Sequence, residues 1–192
     1  IFLLLCANGA GKTTSINLFL NFIEPTSGKA LINGIDVMEQ PLETKKYVAF
    51  VSENVMLYGN FTARQNLDFF ARLGGKTNLT KNDYYNVMRQ VGLQEEAFER
   101  RLKTFSKVMR QKVGLAIAII KDASNIVMDE PTSGLDPKSA AELMQILINL
   151  RNEGKSILMC THDLFRAKTV ADRVGIMKEG RLVMLRTRDE FL

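Results

Sequence analysis

The segment Cys6 to Thr14, CANGAGKTT, constrains the chain more than any other. It follows the apolar run IFLLL and opens a stretch of helical periodicity over Lys12 to Ile23, with Ile16, Phe19, Leu20 and Ile23 on one side. A glycine-rich turn between a buried strand and a helix is built for phosphate. Glycines at 9 and 11 let the backbone N–H groups of the Asn8–Gly11 turn, Ala10 included, point inward around phosphate oxygens. The unpaired N–H groups of the new helix add partial positive charge. Lys12 is expected to reach the terminal phosphates, the Thr13 hydroxyl to coordinate Mg²⁺, and Thr14 to donate to the phosphate nearest the sugar. The expected ligand is ATP or a close relative. The full motif has a glycine where Cys6 stands, so some backbone strain or weaker binding is expected there.

A second run, NIVMDEPTSGLDP over Asn125 to Pro137, places Asp129 at the carboxyl end of a buried strand. Ligands of parallel sheets sit at that edge. Asp129 is expected to hold Mg²⁺ through water opposite Thr13, and Glu130 to orient or deprotonate an attacking water. Lys12 and the metal would then stabilise the transferring phosphoryl group. Glu53 and His162 each end a further strand. At the same edge Glu53 could touch metal or water, and His162 could donate to the γ-phosphate. Alone, each also reads as a surface or capping residue.

The first and last thirds of the chain alternate strand and helix signals. Strands are expected at Ile1–Leu5, Tyr47–Val51, Asn125–Met128 and Ser156–Cys160, with a hairpin at Asn33-Gly34 and another at Glu179-Gly180. Helices are expected at Val108–Ile120, Pro137–Leu150 and Leu164–Ala171. The middle third reads as helices Ala63–Leu73 and Lys81–Val91, split by Gly74 and Gly75, with a capping pair Thr80 and Asp83. The fold class that follows is α/β: a mainly parallel sheet flanked by helices, with an inserted helical lobe at 60–115 inside a single domain spanning 1–192.

Composition removes some function classes. A formal charge of +5 on 192 residues is too mild to argue for nucleic acid. Two cysteines make no disulfide framework, and Cys6 and Cys160 are expected to be reduced core residues, as in a cytosolic compartment. One histidine excludes a histidine metal cluster. No run is long enough to span a membrane. The opening apolar run lacks the marks of a signal peptide, and the chain is read as starting inside a domain.

In order, these motifs resemble the nucleotide-binding domain of ATP-binding-cassette transporters over nearly the whole chain. GAGKTT matches the phosphate loop and IVMDEP the second nucleotide motif. SGLD, Ser133 to Asp136, matches the loop that crosses between subunits, and THD places His162 at the switch histidine. Glu53 stands where the family has glutamine, and LKTFSKVMRQK occupies the signature segment. The resemblance implies a head-to-tail dimer with a second cassette subunit, homo- or heterodimeric, that sandwiches two ATP molecules. It adds Ser106 and Asp136 to the nucleotide-binding residues. It also implies a transmembrane permease partner, a peripheral place on the cytoplasmic face of the membrane, and no direct nucleic-acid binding. The stretch after Glu53 is most similar to the separate ATPase subunit of two-gene exporters. The family's first two strands are missing, which predicts an exposed sheet edge.

The departures carry expectations of their own. Lys107 and Val108 replace the signature glycines, putting side chains where backbone should approach phosphate. Glu53 adds negative charge near the phosphates. Impaired closure or slow hydrolysis is expected. Two alternatives remain: a non-hydrolysing ATP-binding partner in a cassette heterodimer, and a soluble cassette ATPase acting on nucleic acid or ribosomes.

Overall fold

A computed structural model describes residues 1–7, 9–163 and 169–191. Its main sheet has six strands: β1 (Phe2–Cys6), β4 (Val48–Val51), β5 (Asn125–Asp129), β6 (Ser156–Thr161), β7 (Arg173–Lys178) and β8 (Arg181–Thr187), in the order β4-β5-β6-β1-β7-β8. All pairings are parallel except β7 with β8. The inner strands are near-continuous apolar runs because both of their faces are covered. Leu3, Met128 and Cys160 are fully buried. A separate ribbon joins β2 (Leu31–Ile32) to β3 (Ile35–Asp36). Asn33 and Gly34 at its turn have φ of 52° and 79°, and Glu179 and Gly180 between β7 and β8 have 51° and 74°. Positive φ at both central residues matches the right-handed twist of the strands, as the sequence predicted at both turns.

Helices α1 (Lys12–Phe19), α2 (Pro41–Tyr47) and α6 (Pro137–Asn152) belong to the sheet's layers, whereas α3 (Ala63–Leu73), α4 (Lys81–Gln90) and α5 (Lys107–Ile120) form the middle lobe. Thr62 with Gln65, and Thr80 with Asp83, make reciprocal capping boxes that start α3 and α4. The lobe has no core of its own. Leu67, Ala71 and Met88 join one apolar cluster with Val51, Ile126 and Met128 of the sheet. Gly114 of α5 lets the helix settle on β4: a Cβ there would meet Val51 Cγ1 at 3.2 Å.

Several boundaries move. Helix α1 stops at Phe19, not Ile23, and Asn21 turns the chain with φ 55°. Tyr47 closes α2, a helix not foreseen, so β4 starts at Val48. Pro41 at the first position and two lysines in the last turn suit that short helix, but its single apolar leucine gave no periodicity. The helix expected at Leu164–Ala171 lies mostly outside the described residues. Strand β8 is exposed along its whole length and forms one of the sheet's two edges, β4 being the other. Cys6 and Cys160 are both buried and unbridged. Burial raises both thiols, Cys160 to about 12, so neither is a reactive thiolate.

Candidate functional site

Strand register brings the predicted residues to one edge. Leu5 pairs with Thr161, Asp129 with Cys160, and Val51 with Met128. The chain therefore leaves β1, β4, β5 and β6 at one level. The phosphate loop, Ser52–Glu53, Asp129–Glu130 and Thr161–His162 line the carboxyl ends of four neighbouring strands, the place where open α/β sheets take ligands.

The loop itself is preorganised. Gly9 and Gly11 have φ of 79° and 105°, a region that side-chain-bearing residues rarely occupy. The Gly180 N–H donates to the Ala10 carbonyl at 2.8 Å, so the β7–β8 turn braces the loop from behind. A Cβ on Gly11 would meet Gly180 Cα at 3.3 Å. Helix α1 has no side-chain cap and no acidic residue in its first turn, which leaves its N–H groups and partial positive charge open to an anion. Thr13 and Thr14 are exposed at that opening. Cys6 does not strain the loop: it is the last residue of β1, paired with Met177, and its backbone is extended rather than left-handed. Asn8 lies outside the described residues.

Lys12 and the two acidic residues form one ionic cluster. Lys12 Nζ donates to Glu130 Oε1 at 2.8 Å and lies 3.2 Å from Asp129 Oδ1. Glu130 has φ 47° and is only 5% exposed. Its Oε2 accepts from the Thr161 hydroxyl at 2.8 Å, and its Oε1 meets His162 Nδ1 at 2.8 Å. Glu130 thus pairs with Lys12 in the free protein, the buried carboxylate taking the nearest cation. Burial alone would raise the Glu130 carboxyl; hydrogen bonds from Lys12, His162 and Thr161 outweigh it and hold the group below its ordinary range. Burial opposes the charge on Lys12, but Glu130 and Asp129 raise its pKa above the usual value.

The residues fit a magnesium nucleotide. Asp129 Oδ1 is shielded from water and, apart from the Lys12 ammonium 3.2 Å away, has no hydrogen-bond partner, so a cation or its bound water can take it once Lys12 turns to phosphate. Among the described residues no group of three or more acidic, histidine or cysteine side chains gathers to hold a metal. Magnesium bound to a nucleotide needs only one or two carboxylates, with phosphate and water completing its shell.

The other predicted residues stand further out. Glu53 pairs with Lys107 at 3.5 Å, and the Ser133 hydroxyl, ahead of Lys107, pulls its carboxyl below the ordinary range. Ser106 caps α5, its oxygen accepting from the Met109 N–H at 3.3 Å. Asp136 caps α6, accepting from the N–H groups of Lys138 and Ser139, both at 3.1 Å. Each holds a helix start in this structure. Val108 is half-buried against the core rather than projecting outward. Sequence reading gave no role to Thr161 or Gln111, and took Ser133 only as part of the SGLD match. Gln111 donates to the Ser52 and Glu53 carbonyls at 3.1 and 3.0 Å. Thr161, fixed between a strand end and His162, carried the one local signal.

The cluster makes stability depend on pH. Glu130 is held below its ordinary 4.5, so its contribution is full above that value and lost as pH falls through its lowered native pKa. Lys12 is held above 10.5, so its contribution is full below that value and lost as pH rises through the raised one. Unfolding by urea between about pH 7 and about pH 3 should show a shallower loss of stability for Glu130→Gln than for the parent.

A family model described as "ABC transporter" matches residues 1–133. An uncharacterized ABC transporter ATP-binding protein of Nostoc sp. is 36% identical over 194 aligned residues, covering 98% of this chain and 56% of that protein. The ABC transporter ATP-binding protein NatA of Bacillus subtilis is 34% identical over 178 residues, covering 92% and 72%. The structure of cbiO1 from Clostridium perfringens, described as part of the ABC transporter complex cbiONQ, superposes with a TM-score of 0.87 at 24% identity, covering 99% of this chain and 78% of that one. That last likeness speaks for the fold. The chain belongs to the ABC transporter family, as a nucleotide-binding domain with the fold of the family's P-loop ATPases.

Proposed function

We propose that the chain binds Mg-ATP at the loop before α1 and hydrolyses it slowly, as the ATPase domain of a transporter. The observation that carries this reading is Lys12, set at an uncapped helix N-terminus and held by Asp129 and Glu130. In the free protein the two carboxylates neutralise the lysine. An incoming phosphate offers Lys12 a denser anionic partner, and the N–H groups of Gly9 to Thr13 take the remaining oxygens. Thr13 and Asp129 would hold magnesium, which would screen the charge of the phosphates. Once Lys12 turns to phosphate, the Glu130 carboxylate is free to orient a water and accept its proton, while Thr161 and His162 keep it in place. His162 is 62% exposed at the side chain, with its Nδ1 on the Glu130 carboxylate.

The partners belong to the same proposal: a second cassette subunit facing the nucleotide, and a membrane permease reached through the lobe at 60–115. Among the described residues no helix is long and apolar enough to cross a membrane. Beyond Glu53 the chain exposes apolar side chains, Met56 at 87% and Tyr58 at 48%, and the Tyr58 ring lies 4.9 Å from that of Phe69 between centroids. These side chains fit a hydrophobic segment of the permease and a peripheral place at the cytoplasmic face of the membrane.

One observation favours a second reading, a non-hydrolysing partner in a heterodimer. Lys107 stands as the first residue of α5, where a glycine would let backbone reach phosphate. Phosphate release and sedimentation of the purified protein with Mg-ATP separate the readings. Slow release with ATP-dependent dimerisation supports the first. Binding without release selects the second, and absence of binding contradicts both.

A further inference from the structure

Two departures from the family pattern touch each other. Lys107 is the first residue of α5, and no acidic residue stands in that helix's first turn. A cation at a helix N-terminus is unfavourable, because the N–H groups there already carry partial positive charge. Glu53, for its part, adds a negative charge to an edge that already carries Glu130 and where phosphate is expected; Ser133 and Lys107 hold its carboxyl below the ordinary range against the repulsion from Glu130. Each charge is poorly placed alone. Together they lie 3.5 Å apart, across 54 residues of sequence.

The contact joins three segments. Four residues after Lys107, on the same face of α5, Gln111 holds the Ser52 and Glu53 carbonyls. Ser133, in the turn before α6, engages the same Glu53 carboxylate. At Gly134 beside it, an added Cβ would lie 3.8 Å from Lys107 Nζ. Helix α5 thus grips the loop after β4 twice, once by charge and once through its backbone.

We propose that Lys107 is a positioning residue: paired with Glu53, and beside the Gln111 contacts, it fastens the first turn of α5 to the phosphate-facing edge. The link to phosphate rests on the nucleotide reading above. The contact itself does not, and its test contains no nucleotide. Failure of one is therefore distinguishable from failure of the other.

The experiment is native-state hydrogen exchange at Met109, Arg110 and Gln111 in the parent, Lys107→Met, Glu53→Gln, the double variant and Lys107→Arg. Either single neutral variant should exchange about two- to fivefold faster, the size of a partly exposed ion pair. The double variant should exchange no faster than the singles, Lys107→Arg should stay near the parent, and high salt should bring the parent toward Lys107→Met. Additive effects of the two substitutions, or a Lys107→Met that exchanges at the parent's rate, would overturn the proposal. Both side chains are partly exposed, and circular dichroism checks that the variants fold.

Discussion

Lys12→Ala is expected to weaken ATP binding by about ten- to a hundredfold, the cost of losing a charge-assisted contact to phosphate. The same substitution should disturb the free protein. Asp129 and Glu130 would then face each other without their shared cation, and Glu130 is nearly buried. Its carboxyl should rise in pKa, and stability at neutral pH should fall by about 1–3 kcal/mol, moderated by the Thr161 and His162 contacts. Adding Glu130→Gln separates the two consequences. The double variant should recover most of the stability and none of the affinity. Calorimetric titration with ATP and thermal unfolding measure both. Recovery of affinity in the double variant would mean that Lys12 acts only as a structural counter-charge.

Glu130→Gln alone is expected to leave ATP binding intact and to slow hydrolysis by about a hundred- to ten-thousandfold, the usual contribution of a positioned general base. With its oxygen in the place of Oε2, the amide can still accept from the Thr161 hydroxyl and the His162 N–H, so that side of its surroundings should survive. It also removes one anion from beside the phosphates, which should favour retention of the nucleotide. Single-turnover phosphate release resolves the chemical step. Release at the parent's rate would remove Glu130 from the chemistry and leave it as a partner of Lys12.

Much of this was legible because the informative residues are local in sequence. GAGKTT after an apolar run fixes a strand, a loop and a helix within a few residues. DEPTSGLD does the same for the end of β5. Their meeting at one edge followed from continuous apolar strands, which imply a parallel sheet and a common carboxyl side. What was not legible depends on contacts between distant segments or on competing uses of one side chain. Ser106 and Asp136 each have a hydrogen-bonding role at a helix start, and such capping looks the same in sequence as ligand binding. Cys6 was expected to strain the loop, yet the strand extends one residue further and relieves it. Helix α2 has one apolar leucine among charges, so periodicity could not reveal it. The pairing of Lys12 with Glu130 in the free protein was also hidden, because the motif describes the loaded site and not the charges that wait there. Glu53 and Lys107 were each visible as departures; only the fold shows that they neutralise one another.

ATP binding at this site requires an exchange of partners at Lys12. The direct measurement is a crystal structure of the protein with Mg²⁺ and a non-hydrolysable ATP analogue. It should place the terminal phosphates at the N-terminus of α1, with Lys12 Nζ moved from Glu130 to phosphate oxygen and Asp129 turned to the metal or its water. A nucleotide bound elsewhere, or one bound at the loop with Lys12 still paired to Glu130, would contradict it.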